Sequence, residues 1–125
     1  MTIQQALDMA DQLKPNMMST AVKIGFLNEI EGKLQREIIA THEATAEELE
    51  PRSYDTGTDP ATVLLIPAPY DGFYPFYIMM QIDILNQEAD KYNNDAALFG
   101  QKYQEMNNWW NRTRMPVSRV RELRI

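Results

Sequence analysis

Tyr92, Ala96, Phe99, Tyr103, Met106 and Trp110 recur at alternating steps of four and three. That spacing keeps all six on one side of an α-helix, as a seam that another element must cover. The periodicity predicts a helix from about Asn93 or Asn94 to about Arg112, ended by Met115-Pro116 and packed antiparallel on the helix before it. The earlier helix is expected to start near Asp71, a good N-cap, with Gly72, Phe73, Tyr74 and Pro75 in its first turn. A proline costs little there, because the first four N–H groups lack helical partners anyway. Phe76, Met79, Met80, Ile82 and Leu85 follow around Asp83, and Tyr77, Ile78 and Ile84 widen the apolar arc nearly all round. Such a helix is buried on most sides, either centrally in a bundle or against another subunit.

Two helices precede these. Thr2 and Gln5 have the form of a capping box, and Ile3, Ala6, Leu7, Ala10 and Leu13 keep helical spacing up to Lys14-Pro15-Asn16. A second helix is expected from about Ser19 to about Thr41, capped by Ser19 or Thr20. Leu27, Ile30, Leu34 and Ile38 form its stripe, and Glu29, Glu31, Lys33, Gln35 and Arg36 are assigned mostly to the wet side. Residues 43–60 are acidic and then turn-rich, with room for a single helical turn at Thr45–Leu49. Thr62-Val63-Leu64-Leu65-Ile66 is short, apolar and β-branched. It reads as a buried extended strap or as a lone strand paired with the long loop or another chain, since an unpaired strand cannot satisfy its backbone. The fold class is therefore all-α: a four- to five-helix, bundle-like single domain over residues 1–116, with one long irregular loop, a short extended segment, and a basic C-terminal tail at 117–125.

With no cysteine in 125 residues, disulfides and thiolate metal sites are excluded, and the fold rests on packing. No apolar run is long enough to span a membrane, and the first residues do not read as a signal peptide, so no membrane association is expected and the Asn111-Arg112-Thr113 sequon reads as accidental. The net charge of −6 conceals a polarity. Residues 1–111 carry 17 acids against 7 bases, whereas Arg112, Arg114, Arg119, Arg121 and Arg124 face only Glu122 beyond them. A basic end on an acidic body suits the acidic body of a neighbouring copy, or another acidic partner.

Candidate chemistry is sparse. Asp55-Thr56-Gly57 matches the aspartic-protease tripeptide but lies among helices after Arg52-Ser53-Tyr54, where a turn explains Asp and Gly. Asp55, Gly57 and Asp59 resemble half a calcium loop, in the wrong order and with Ile66 where the bidentate Glu belongs. His42, the single histidine, falls at the end of the second helix, where a cation suits the dipole. Trp109-Trp110 with Arg112 and Arg114 has the residue types of a nucleic-acid surface, but Trp110 belongs to the seam and the acidic body repels a polyanion. No cofactor, metal or small-molecule substrate is expected, and the chain does not read as an enzyme. Eight methionines and the aromatics Tyr70, Phe73, Tyr74, Phe76 and Tyr77 are expected to form an adaptable protein-contact surface.

Several segments together resemble a known family. They are Leu13-Lys14-Pro15-Asn16, Leu27-Asn28-Glu29-Ile30-Glu31-Gly32-Lys33-Leu34-Gln35-Arg36-Glu37-Ile38, Leu64-Leu65-Ile66-Pro67-Ala68-Pro69-Tyr70-Asp71, Gln81-Ile82-Asp83, Tyr92-Asn93-Asn94, and Trp109-Trp110-Asn111-Arg112-Thr113 with Phe99 and Tyr103 before it. Over residues 1–116 the chain resembles the small helical proteins of tailed phages and prophages of Gram-positive bacteria, and is similar to the head–tail connector (head-completion, adaptor) family. The resemblance implies a helical adaptor that assembles as a ring beneath the portal, extends the DNA channel without binding DNA specifically, and offers a platform to a further neck or tail component. It implies residence in the virion after synthesis in the bacterial cytoplasm, and it carries no catalytic residue onto this chain. Gly72, Pro75 and the arginine-rich end depart from the family's pattern.

From these readings the expected contact residues are Arg112, Arg114, Arg119, Arg121 and Arg124 in the tail, and Tyr54, Asp55, Asp59, Tyr70, Phe73 and Tyr74 on the loop and apolar face. The rival reading is a small DNA-binding or regulatory phage protein that uses the basic tail.

Overall fold

The computed structural model describes residues 1–116 and is all-helical, with α1 (Ile3–Leu13), α2 (Thr20–Glu37), the one-turn α3 (Ala46–Leu49), α4 (Phe73–Leu85) and α5 (Ala89–Thr113). Among the described residues the only β-type pairings are two isolated antiparallel bridges, Thr2 with Val63 and His42 with Pro116.

Local chemistry sets the ends of these helices. Thr2 Oγ1 accepts from Gln5 N at 3.1 Å, and Gln5 Oε1 accepts from Thr2 N at 2.9 Å, completing the expected capping box. Ser19 caps α2 through Val22 N. α2 stops at Glu37, short of the expected Thr41, and residues Ile39–Thr41 tighten into a 3-10 turn. The Thr41 hydroxyl donates to the Ile38 carbonyl at 2.7 Å, and the tighter turn swings Ile39 fully into the core. α4 begins at Phe73 rather than at Asp71. The Asp71 carboxylate is taken by the Met1 ammonium, leaving Gly72 at the cap with no side-chain bond. α5 starts at Ala89, several residues before the expected Asn93 or Asn94. Gln87 adopts φ 57°, and the Glu88 N–H closes on the Asp83 carbonyl at 2.9 Å, so the reversal between α4 and α5 takes only residues 86–88.

α4 is the central helix, packed on α5, α1 and α2. Phe73, Tyr74, Ile78 and Ile82 are fully enclosed, so its broad apolar arc is covered mainly within the chain. Ile84 and Leu85, at its C-terminal end, remain exposed. The α5 seam meets it through aromatic edges: Tyr103 stands 5.4 Å from Phe73 at 87°, and Phe99 lies 5.3 Å from Tyr77. Met106 and Trp110 are buried, and the rest of the seam is half-buried.

The extended strap finds its main-chain pairing in the N-terminal residues, and the long loop adds the Arg52 guanidinium on Val63 O at 3.2 Å and the Asp59 carbonyl, which accepts from Thr62 N at 2.9 Å. Leu64 N donates to Met1 O at 2.9 Å and Ile3 N donates to Thr62 O at 3.0 Å. Leu64 and Ile66 point into the core, while Val63 faces out.

Candidate functional site

Contacts along the bundle fix its two ends. Met1 meets Asp71 before α4, and Lys14 meets Asp83 near the end of α4, so α1 and α4 run parallel. Tyr70 stacks on Trp109, so α5 runs back antiparallel. One end therefore carries Leu13, Met17, Ile84 and Leu85, and the other carries Leu49, Val63 and Met115, all exposed. α5 alone, at 25 residues, separates them by about 37 Å.

The residues expected to reach partners divide accordingly. Arg112 is exposed. Arg114 is already engaged: its guanidinium donates to Glu48 Oε2 at 2.9 Å and lies 4.0 Å from the Trp110 ring centre. That contact docks the end of α5 onto α3, helped by Glu43 N donating to Met115 O at 2.7 Å. Arg119, Arg121 and Arg124 lie outside the described residues. Asp55 and Asp59 form exposed turns, with Gly57 N donating to Asp55 Oδ1 at 2.8 Å and Ala61 N to Asp59 Oδ1 at 2.9 Å.

For Tyr54, Phe73 and Tyr74 the expected outward role is corrected. All three are buried, Phe73 and Tyr74 completely, because the strap and α5 cover the start of α4. Tyr77 is buried as well, and Tyr70 is half-buried, one ring face taken by Trp109 at 4.6 Å and 11°. That stack and the Arg114 contact occupy Trp109 and Arg114, and Trp110 is buried, whereas Arg112 stays exposed.

Two buried carboxyl groups organise the interior, and the sequence reading passed over both. Glu31, assigned to the wet side of α2, is fully buried. Its Oε1 accepts from Leu65 N at 3.0 Å, Tyr74 Oη at 3.1 Å and Tyr54 Oη at 3.3 Å, while Oε2 has no protein partner. Tyr74 Oη in turn accepts from Ile66 N at 3.1 Å. One acid thus ties the strap, the long loop and α4 to α2. Burial pushes its pKa up, against the opposing Leu65 N–H, Arg52, Tyr74 and Tyr54; burial and Glu31 together raise Tyr54 to about 12. The helical wheel held the clue, since Glu31 lies four residues after Leu27 and three before Leu34.

Asp83 is the second. Fully buried on α4, it receives no aligned hydrogen bond at either oxygen, although Lys14 Nζ lies 2.8 Å from Oδ1. Lys14 also reaches Glu88 at 3.0 Å, and Lys91 reaches Glu88 at 2.6 Å. Asp95 faces Asp83 from α5; burial and the Asp83 carboxylate raise its pKa to about 6. Lys91, Lys14 and Asn86 hold Glu88 down to about 2. An open pocket of about 350 Å³ lies over this group, lined by Leu13, Lys14, Pro15, Met79, Asn86, Glu88, Lys91, Asn94 and Asp95. Among the described residues no three histidine or acidic side chains are arranged to hold a metal ion. None of the described helices is long and apolar enough to cross a membrane.

Comparisons with protein-family models, curated proteins and solved structures gave no match.

Proposed function

We propose that this chain is a structural virion-assembly protein, a head–tail connector or adaptor whose copies dock as a ring beneath a portal protein and receive a further neck or tail component. In this reading it is made in the bacterial cytoplasm, ends in the virion, lets packaged DNA pass without specific binding, and performs no catalysis. The observation that carries it is the pair of exposed apolar patches at opposite ends of one bundle, Leu13, Met17, Ile84 and Leu85 against Leu49, Val63 and Met115. Unlike patches at opposite ends suit head-to-tail contacts between identical copies, which close into rings when the rotation allows. The family resemblance supplies the portal and neck as partners, and the acidic body suits a channel wall to which DNA should not adhere.

The alternative, a small DNA-binding or regulatory phage protein, rests on the arginines after residue 111. Sedimentation of the purified chain, with and without duplex DNA over a salt series, separates the two readings. Self-association, alone or on portal-bearing particles, with no DNA uptake, supports the adaptor. A strict monomer that ignores portal and binds DNA in a salt-sensitive manner overturns it.

A further inference from the structure

We infer that the pocket over Lys14, Glu88 and Asp95 receives an arginine, Arg119 or Arg121, from the basic segment of a second copy of this chain. The inference rests on the self-association reading above and names the contact that would make it.

Charge is the first argument. Asp83, Glu88 and Asp95 meet two ammonium groups, Lys14 and Lys91, and both ammoniums are already committed to Glu88 and Asp83. The group is one positive charge short. Asp83 is completely buried with no aligned donor on either oxygen, and Asp95 stands against it as a second carboxyl. A guanidinium at Asp95 would supply the missing charge and fixed, planar donors. Asn86 and Asn94 on the wall offer further acceptors, and Leu13, Pro15 and Met79 offer apolar cover for the valines beside the arginines.

Reach is the second argument, and for Arg119 and Arg121 it decides between a copy's own side chains and a neighbour's. The described chain leaves the bundle at Pro116, which pairs with His42 at the end away from the pocket. Asp95 lies 18 residues before Thr113 along α5, about 27 Å by helical rise. Arg119 and Arg121 follow Pro116 by three and five residues, a span of at most about 11 Å and 18 Å. Neither can fold back to its own pocket. A neighbour stacked head-to-tail brings its arginines to the correct end.

The test uses a labelled peptide of residues 115–125 titrated onto the full-length chain, followed by fluorescence anisotropy at low salt. The expected result is saturable binding, weakened at least about tenfold by R119E/R121E in the peptide or by Asp95→Asn in the protein, with Asp55→Asn as an unaffected control. Binding should also tighten as pH rises through about 6, because Asp95, facing Asp83 from α4, Lys14 just after α1, Glu88 just before α5 and Lys91 on its own helix, becomes an anion there. The peptide substitution leaves the protein untouched, so a folding defect in the Asp95 variant cannot mask the answer. Absence of binding, or binding indifferent to both changes, overturns this contact. Self-association persisting in the sedimentation experiment would then leave the adaptor reading standing without it.

Discussion

The Tyr74 hydroxyl donates to Glu31 Oε1 across 3.1 Å while accepting from Ile66 N at the same separation. A residue of α4 thereby relays a carboxylate of α2 to the backbone of the strap, and three segments depend on one oxygen. Replacing Glu31 by alanine strands the Leu65 N–H and two tyrosine hydroxyls in the core. Each buried donor left unmet costs about 1–3 kcal/mol. We expect Glu31→Ala to lower unfolding free energy by about 3 kcal/mol or more in urea titrations, and Glu31→Gln, which keeps an acceptor oxygen, to lose less than half of that.

The Asp83–Asp95 pair sets a pH dependence whose sign can be worked out. Asp95 titrates near 6 in the folded chain against an ordinary 3.8, so the native state holds a proton that the unfolded chain has released. Its contribution is full below about 4, declines as pH rises, and is lost above about 6. Glu88, held down to about 2, acts oppositely: its contribution is present above the ordinary value of 4.5 and is lost as pH falls toward 2. We expect Asp95→Asn to raise the urea midpoint at pH 8 and to flatten the decline between pH 4 and 6. A variant no more stable than the wild type at pH 8 would contradict this reading of the pair.

Arg114 joins α5 to α3 through Glu48 and lies over Trp110. A partly exposed ion pair is worth about 0.2–1 kcal/mol, and a guanidinium over an indole adds about 0.5–1 kcal/mol. Arg114→Lys keeps the charge but not the planar fork. A double-mutant cycle of Arg114→Ala with Glu48→Ala should give a coupling of about 0.5 kcal/mol, halved by high salt, and Arg114→Lys should recover only part of the stability lost in Arg114→Ala. Tryptophan fluorescence should change with each Arg114 substitution and stay constant in Glu48→Ala.

Much of this fold was legible in the residues. Periodicity located all four long helices, and the Thr2–Gln5 box and the Ser19 cap formed as read. The misplaced ends have two causes: α2 stops early in a tight local turn and α5 starts early on the local reversal at Gln87, whereas at α4 a long-range contact outweighed local preference. Asp71 looks like an N-cap in isolation, but the Met1 ammonium, far off in sequence, takes its carboxylate. The exposed-looking aromatics were misread because Phe73 and Tyr74 are covered by the strap, which the turn at residues 67–72 folds back over them, and by α5. Glu31 lay within reach of a stricter helical wheel. Asp83 stood alone in an apolar stretch, but its partners Lys14 and Asp95 come from two other helices.

The proposed head-to-tail arrangement is tested most directly in a chain without cysteine. Leu85 and Met115 are exposed at opposite ends of the bundle, so Leu85→Cys and Met115→Cys in one chain cannot pair within a copy. Mild oxidation of the double variant, resolved by mass, should give a ladder of covalent multimers whose disulfides join position 85 of one copy to position 115 of the next. Only monomers, or only 85–85 and 115–115 pairs, would contradict an assembly built from opposite ends.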